Sequence, residues 1–347
     1  MKYFNLLPKF FNNRCPYISE GQPQKVKIYK EDFNTMKTKE WLNTWLNKYV
    51  KHSVKLRTYD RYKYNVEKHI NPELGDYELE ELSASVLQDF VLKKLEKGNL
   101  KTGGPLANNS VIGIVNIIKS ALALAVSLEV VEKEYTSKIK LPPPTEKPVN
   151  AFEKQEQQIL EQYCMNSKKT NHIGIVICLY TGLRIGELLA LTWDDIDFEN
   201  GILNIDKEAY KVKENGIWRT IIDKPKTKSS IRIIPIPKTL LSKLKEIKKK
   251  SKFEHIISTR ENTVVDTRSY QKTYERILNN LHIPYKNFHS LRHTFATRAV
   301  EFGIDVKSLA EIMGHKNPTV TLQRYTHSLL SYKKDMMNKL GKMLLTD

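Results

Sequence analysis

Residues 180–197 read YTGLRIGELLALTWDDID, a glycine-bearing turn that runs straight into an apolar helical pattern. Gly182 precedes the helix, and Arg184 and Glu187, three residues apart, fall on one helical face. Two readings of that face stay open: an ordinary surface ion pair, or a guanidinium held by a carboxylate for a task. Upstream, helical periodicity covers 154–164 and 173–180. Downstream, the apolar runs 203–205, 218–222 and 231–236 are separated by polar turns with Lys and Gly, which predicts one small antiparallel sheet. After Leu240 the helical pattern returns and continues to the C-terminus. The fold class expected for the part that opens near Asn150 is therefore mostly α with a small antiparallel β-sheet.

The chain has 347 residues, enough for two domains. From Thr35, the residues Trp41, Leu42, Trp45, Leu46 and Tyr49, then Tyr59, Tyr62, Tyr64, Val66 and Ile70, recur at helical spacing. Further helices are expected at 83–97 and 109–128, so 35–135 reads as a compact all-α unit. The apolar stretch 111–131 is interrupted by Asn116, Lys119, Ser120, Ser127 and Glu129, and reads as a buried helix rather than a membrane span. Then follows KIKLPPPTEKP, in which Pro142, Pro143, Pro144 and Pro148 cannot continue a helix; 136–149 is expected to be a semi-rigid linker. The second part would cover 150–347. Residues 1–34 carry Pro8, Pro16, Gly21 and Pro23 with little periodicity, and form an unassigned N-terminal extension. The apolar run at the N-terminus is too short for a secretory signal, so a cytosolic location is expected. Cys15, Cys164 and Cys178 are widely spaced, with no CxxC pair, and suggest neither a disulfide framework nor a zinc site.

The formal net charge is +18. Residues 1–149 carry 24 Lys+Arg against 17 Asp+Glu, and 150–347 carry 33 against 22, so both parts are basic. Charge shared by two folded regions suggests a polyanion clasped between them, most simply duplex DNA, although basic proteins of membranes and ribosomes have similar balances. In the helical unit Lys37, Lys39, Lys48, Lys51, Lys55, Arg57, Arg61 and Lys63 accompany the apolar stripe. They are candidate phosphate contacts, or a solvated basic face.

Three further segments carry candidate chemistry. HSLRHTFAT, 289–297, sets His289 and Arg292 at i and i+3; His289 and His293 have the spacing of a zinc pair, but Ser290 stands where the metalloprotease pattern has Glu, so no metal is expected. LAEIMGHKNPTVTLQRYTH, 309–327, has His315 after Gly314 and Tyr325 ten residues on. KPKTKSSIRIIPIP, 224–237, places Lys226 and Lys228 in a turn between two strands.

Together these segments resemble the tyrosine recombinase, or phage integrase, family. Its constellation is an arginine in xTGxRxxE, a lysine in a β-turn, HxxR, a GH motif and a tyrosine about ten residues later. The counterparts in order are Arg184, Lys226, His289 with Arg292, His315 and Tyr325. The resemblance implies that the helical unit is a core-type DNA-binding domain. It also implies that Tyr325 attacks a DNA phosphodiester to give a 3′-phosphotyrosine and a 5′ hydroxyl, storing the bond without ATP. Arg184 and Arg292 would neutralise the transition state in place of metal ions, His289 would serve as base, and Lys226 as acid, with Lys228 the alternative. His315 would donate to a phosphate oxygen and Glu187 would orient the first arginine or its neighbours. No cofactor is implied. The implied setting is a bacterial host, on the nucleoid, integrating or excising a phage or mobile element; a chromosome-dimer resolvase, a type IB topoisomerase and a catalytically silent DNA-binding regulator are the alternatives. Leu329, Tyr332, Met336, Leu340 and Met343 give an amphipathic tail helix from about residue 328. Its stripe would dock on a neighbouring protomer in a DNA-bound homotetramer, or on its own domain. Accessory bending or excision factors are possible partners.

Overall fold

The structure, a computed structural model, describes residues 36–145, 150–214, 217–225, 228–315, 317, 334, 337–338 and 340–342. The N-terminal extension, residues 146–149 of the expected linker, Lys226, Tyr325 and all of the tail stripe but Leu340 lie outside the described residues. The chain divides into two compact units, Met1–Thr145 and Glu146–Asp347.

In the first unit, α1 (Thr38–Thr44) continues as a π-helical turn, Trp45–Val50, and α2 (Leu56–Asn65) as another, Val66–Ile70. The short α3 (Asn71–Leu74), α4 (Ala84–Lys97) and α5 (Asn108–Ser127) complete it. The apolar periodicity is what closes the core: Trp41, Leu42, Trp45 and Leu46 meet Val66, Ile70, Phe90, Ile114, Ile118 and Ala121. Trp41 donates its indole N–H to the Ala121 carbonyl at 3.0 Å, so the polar edge of a buried ring is satisfied. Helix α5 is long and apolar enough to cross a membrane by length and composition. Its Val111, Ile114, Val115, Ile117, Ile118, Ala121, Leu122 and Ala125 are buried within the unit, as a core helix requires. The proline-rich segment is fastened to this unit as far as Thr145. Prolines offer carbonyls but no N–H, and Asn108 donates to the Pro143 carbonyl at 2.9 Å while Asn109 donates to that of Thr145 at 2.9 Å.

The second unit packs α6 (Lys154–Met165), α7 (Ile173–Thr181), α8 (Ile185–Ala190), α9 (Lys238–Lys250), α10 (Thr267–Asn280), α11 (His289–Phe302) and α12 (Val306–Met313) with two small antiparallel sheets. Helix α7 is apolar on all sides and lies in the core, with Ile173 through Leu179 buried. The expectation of one sheet is corrected here. Strand β2 (Ile202–Ile205) pairs with β1 (Ile196–Asp197) and β5 (Arg232–Pro235), whereas β4 (Ile217–Asp223) pairs with β3 (Glu208–Glu214), which the sequence reading passed over. The β3–β4 hairpin rests on α8, where Gly186 allows the backbones to meet: a Cβ there would stand 2.8 Å from the Ala209 carbonyl oxygen.

His172, buried and stacked on Tyr163 at 5.8 Å between ring centroids, has its pKa lowered by burial first and then by the charges of Lys169 and Arg276. The unfolded chain therefore takes up this proton first. The contribution to stability is full above the ordinary histidine pKa, about 6.5, and is lost as the pH falls from there through the lowered folded value. The melting temperature is expected to fall between pH 7.5 and 5.5, and His172→Phe, which preserves the stacking, to shrink that fall in parallel melts.

Candidate active site

Helix α7 ends at Gly182, which adopts φ +65°, and the chain turns so that Arg184 becomes the N-terminal flanking residue of α8. Arg184 and Glu187 therefore meet as a cap rather than as two residues on a helix face. The Glu187 carboxylate accepts from the Arg184 backbone N–H at 2.9 Å and from its Nη1 at 2.8 Å. Glu187 is 3% exposed and Arg184 37%. Burial alone would push the Glu187 carboxyl up, but the Arg232 fork and charge, then the charge and backbone N–H of Arg184, outweigh it and hold its pKa below the usual glutamate value.

Arg232, on β5, is the member of this cluster that sequence reasoning missed. Its Nη1 and Nη2 donate to the two Glu187 oxygens at 3.0 and 2.9 Å, a bidentate pair, and its side chain is 6% exposed. The available signal was a charged residue at the start of an otherwise apolar run, IRIIPI.

Arg292, 2% exposed on α11, donates from Nη1 to the Gly182 carbonyl at 2.7 Å and from Nη2 to that of Met313 at 2.6 Å. Its Nη2 also lies 2.8 Å from His315 Nε2. A guanidinium has no acceptor, so Nε2 must accept and a neutral His315 carries its proton on Nδ1. The end of α12 gathers the whole group. The successive carbonyls of Ile312, Met313 and Gly314 accept from Arg232 Nε at 2.6 Å, Arg292 Nη2 at 2.6 Å and Arg184 Nη2 at 3.4 Å. Arg184, Glu187, Arg292 and His315, which the sequence singled out, thus come together with Arg232 around one helix terminus.

His289 opens α11 on the exposed side, edge-to-face against His293 with ring centroids 4.7 Å apart. Arg292, three residues on, is buried. Lys228 begins a short 3₁₀ turn, Lys228–Ser230, between β4 and β5. In the other unit Lys37, Lys39, Lys48, Lys51, Arg57, Arg61 and Lys63 are exposed and Lys55 is half-buried. Lys39 is paired with Asp76 at 2.9 Å, Lys63 with Glu67 at 3.8 Å, and Arg61 lies over the Tyr62 ring at 5.4 Å.

Sequence profiles match this architecture part by part: the phage integrase family over residues 151–331, and the phage integrase N-terminal SAM-like domain over 38–95. The chain belongs to the phage integrase family. It is 28% identical over 341 residues to a protein named tyrosine recombinase XerC-like from Caldanaerobacter subterraneus subsp. tengcongensis, an alignment covering 90% of this chain and 85% of that one. In fold it is similar to the Tn1549 transposon integrase solved in complex with circular intermediate DNA, with TM-score 0.71 and 23% identity over 88% of this chain and 100% of that one. It is also similar to a lambda integrase tetramer solved on a Holliday junction, with TM-score 0.63 and 17% identity over 84% and 78% of the two chains.

Two glycines of this integrase-family chain separate backbone demand from mere presence. At Gly182 a Cβ would lie 2.5 Å from Phe295 Cδ1 in a left-handed backbone, whereas at Gly113, within α5, it would meet nothing within 4 Å. Urea unfolding is expected to show Gly182→Ala destabilised by about 2 kcal/mol or more, and Gly113→Ala stabilised by about 0.5–1 kcal/mol.

Proposed function

We propose that this chain is a tyrosine-type site-specific DNA recombinase that integrates and excises a phage or other mobile element through a covalent 3′-phosphotyrosine. The observation that carries the reading is the gathering of Arg184, Arg292 and His315, from distant parts of the sequence, at the end of α12. Phosphoryl transfer needs positive charge around the non-bridging oxygens while the nucleophile attacks and the 5′ oxygen leaves. Arg184 and Arg292 supply it in this reading, Arg184 from the half-exposed position and Arg292 from a buried one, where the lower dielectric strengthens its field. His315 donates to a phosphate oxygen through Nδ1. Glu187 orients Arg184.

The remaining roles rest on the order of the family motifs. Tyr325 Oη attacks phosphorus, His289 takes the phenolic proton, and Lys226 protonates the departing 5′ oxygen, with Lys228 as the alternative acid. The tyrosyl ester keeps the energy of the phosphodiester, so a 5′ hydroxyl from another strand can attack it and free the phenol without ATP.

The boundaries proposed are a helical core-type DNA-binding domain over 35–135, a linker over 136–149 and a catalytic domain over 150–347. Within the first, Lys37, Lys39, Lys48, Lys51, Lys55, Arg57, Arg61 and Lys63 are proposed phosphate contacts, and Lys228 is one in the second. The partners proposed are duplex attachment sites, a homotetramer held through the tail helix from about residue 328, and accessory bending or excision factors. The working place is the bacterial cytosol, on the nucleoid.

The test is incubation with a nicked suicide duplex carrying an end of the element, from which the cleaved 5′ fragment diffuses away. The wild-type chain is expected to form a gel-stable protein–DNA adduct and Tyr325→Phe none. An adduct that persists in the Phe variant overturns the nucleophile. Lys226→Ala is expected to slow adduct formation by about 100-fold or more, the range of a lost general acid, with Lys228→Ala much less affected; the reverse order assigns the acid to Lys228.

A further inference from the structure

Arg232 makes more hydrogen bonds than a strand residue needs, and none of them serves its own strand pairing. Its Nε donates to the Ile312 carbonyl at 2.6 Å, Nη1 to Glu187 Oε1 and the Ser230 carbonyl at 3.0 Å each, and Nη2 to Glu187 Oε2 at 2.9 Å. The side chain is 6% exposed, so whatever it does for a phosphate it does through a neighbour. That neighbour is Glu187, whose Oε1 also accepts from Arg184 Nη1 at 2.8 Å.

We propose that Arg232 is a positioning residue of the strand-cleavage site, cancelling the Glu187 charge so that Arg184 meets the phosphate as an uncompensated cation. The inference rests on the recombinase reading given above. Arg184 and Glu187 alone would be a neutral pair, in which the carboxylate opposes any anion approaching the guanidinium. With Arg232 the trio carries one net positive charge, and its most exposed member is Arg184. The same side chain fixes the pose. It holds both carboxylate oxygens, and it packs beneath Gly314, where a Cβ would come within 3.0 Å of Arg232 Nη1. Gly314 in turn directs its carbonyl to Arg184 and leads into His315.

The test compares wild type, Arg232→Met, Glu187→Gln and the double variant Arg232→Met/Glu187→Gln in single-turnover adduct formation on the nicked duplex, with melting temperature and binding to one site measured alongside. Arg232→Met is expected to slow adduct formation by about 10- to 100-fold, with site binding within about twofold, as expected for a buried side chain that contacts no DNA. The double variant, having lost the stranded carboxylate as well, is expected to recover about tenfold over Arg232→Met. A purely structural arginine would lower the melting temperature without that recovery. Should Arg232→Met not fold, Arg232→Gln, which keeps an amide but no charge, takes its place with the same expected recovery. Arg232→Met as fast as wild type, or a double variant no faster than Arg232→Met, overturns the proposal. Failure of the wild-type chain itself to form an adduct overturns the recombinase reading, and this inference with it.

Discussion

The final carbonyls of an α-helix have no N–H of their own helix to accept from. In α12 those of Ile312, Met313 and Gly314 are satisfied instead by three arginines that lie at positions 232, 292 and 184 of the chain. Cations are favoured at that end of a helix, and neutral acceptors hold them without cancelling them. The consequence is electrostatic. Two of the guanidiniums, Arg184 and Arg232, share the Glu187 carboxylate, so that trio keeps a positive excess that a second acid would have removed. Gly314, at φ +64°, ends the helix in the left-handed conformation and brings His315 against Arg292.

This arrangement depends on rigid neighbours. The Gly182 carbonyl that receives Arg292 follows a helix buried on every side, and the same turn delivers Arg184 to the start of α8. A displacement of α7 would move both arginines together, so the site is referenced to the core of the unit rather than to its surface. The buried Thr294 hydroxyl, which accepts from the Phe152 backbone N–H at 2.8 Å, ties α11 to the segment before α6 in the same way.

Much of this was legible in the sequence because helices declare themselves through period. The stripes at Trp41, Leu42, Trp45 and Leu46, and the apolar run of α7, are buried as their spacing demanded. Strand β3 was harder. Among its residues whose side chains are described, the buried ones, Ala209 and Val212, are three apart, so the EAYKVKE segment lacks the alternation of a half-buried strand. The better signal was local: the residues between the paired Glu214 and Ile217 are Asn215 and Gly216, the favoured composition of a tight hairpin. Arg232 escaped for a different reason. A charge in a strand reads as solvent-facing unless its partner is known, and the partner, Glu187, lies 45 residues earlier in the chain. His289 and Arg292 show the converse limit, since a spacing of three allows a shared face but does not decide which side of α11 turns inward.

Stability alone gives a poor account of the Arg184, Glu187 and Arg232 cluster. Taking charges out of water costs several kcal/mol per ion, and well-packed apolar residues of similar volume often do as well or better in such places. Core positions nearby are filled that way, with Leu183, Leu188 and Leu189 at 1% exposure or less. The charged group sits where the interior of this unit approaches the half-exposed Arg184 guanidinium. A buried arginine there that donates four hydrogen bonds, two to neutral carbonyls and two to one shared carboxylate, does what an apolar residue cannot: it leaves the outer arginine charged, oriented and available to an anion. The desolvation cost is then understandable as the cost of a fixed field, set up before any phosphate arrives.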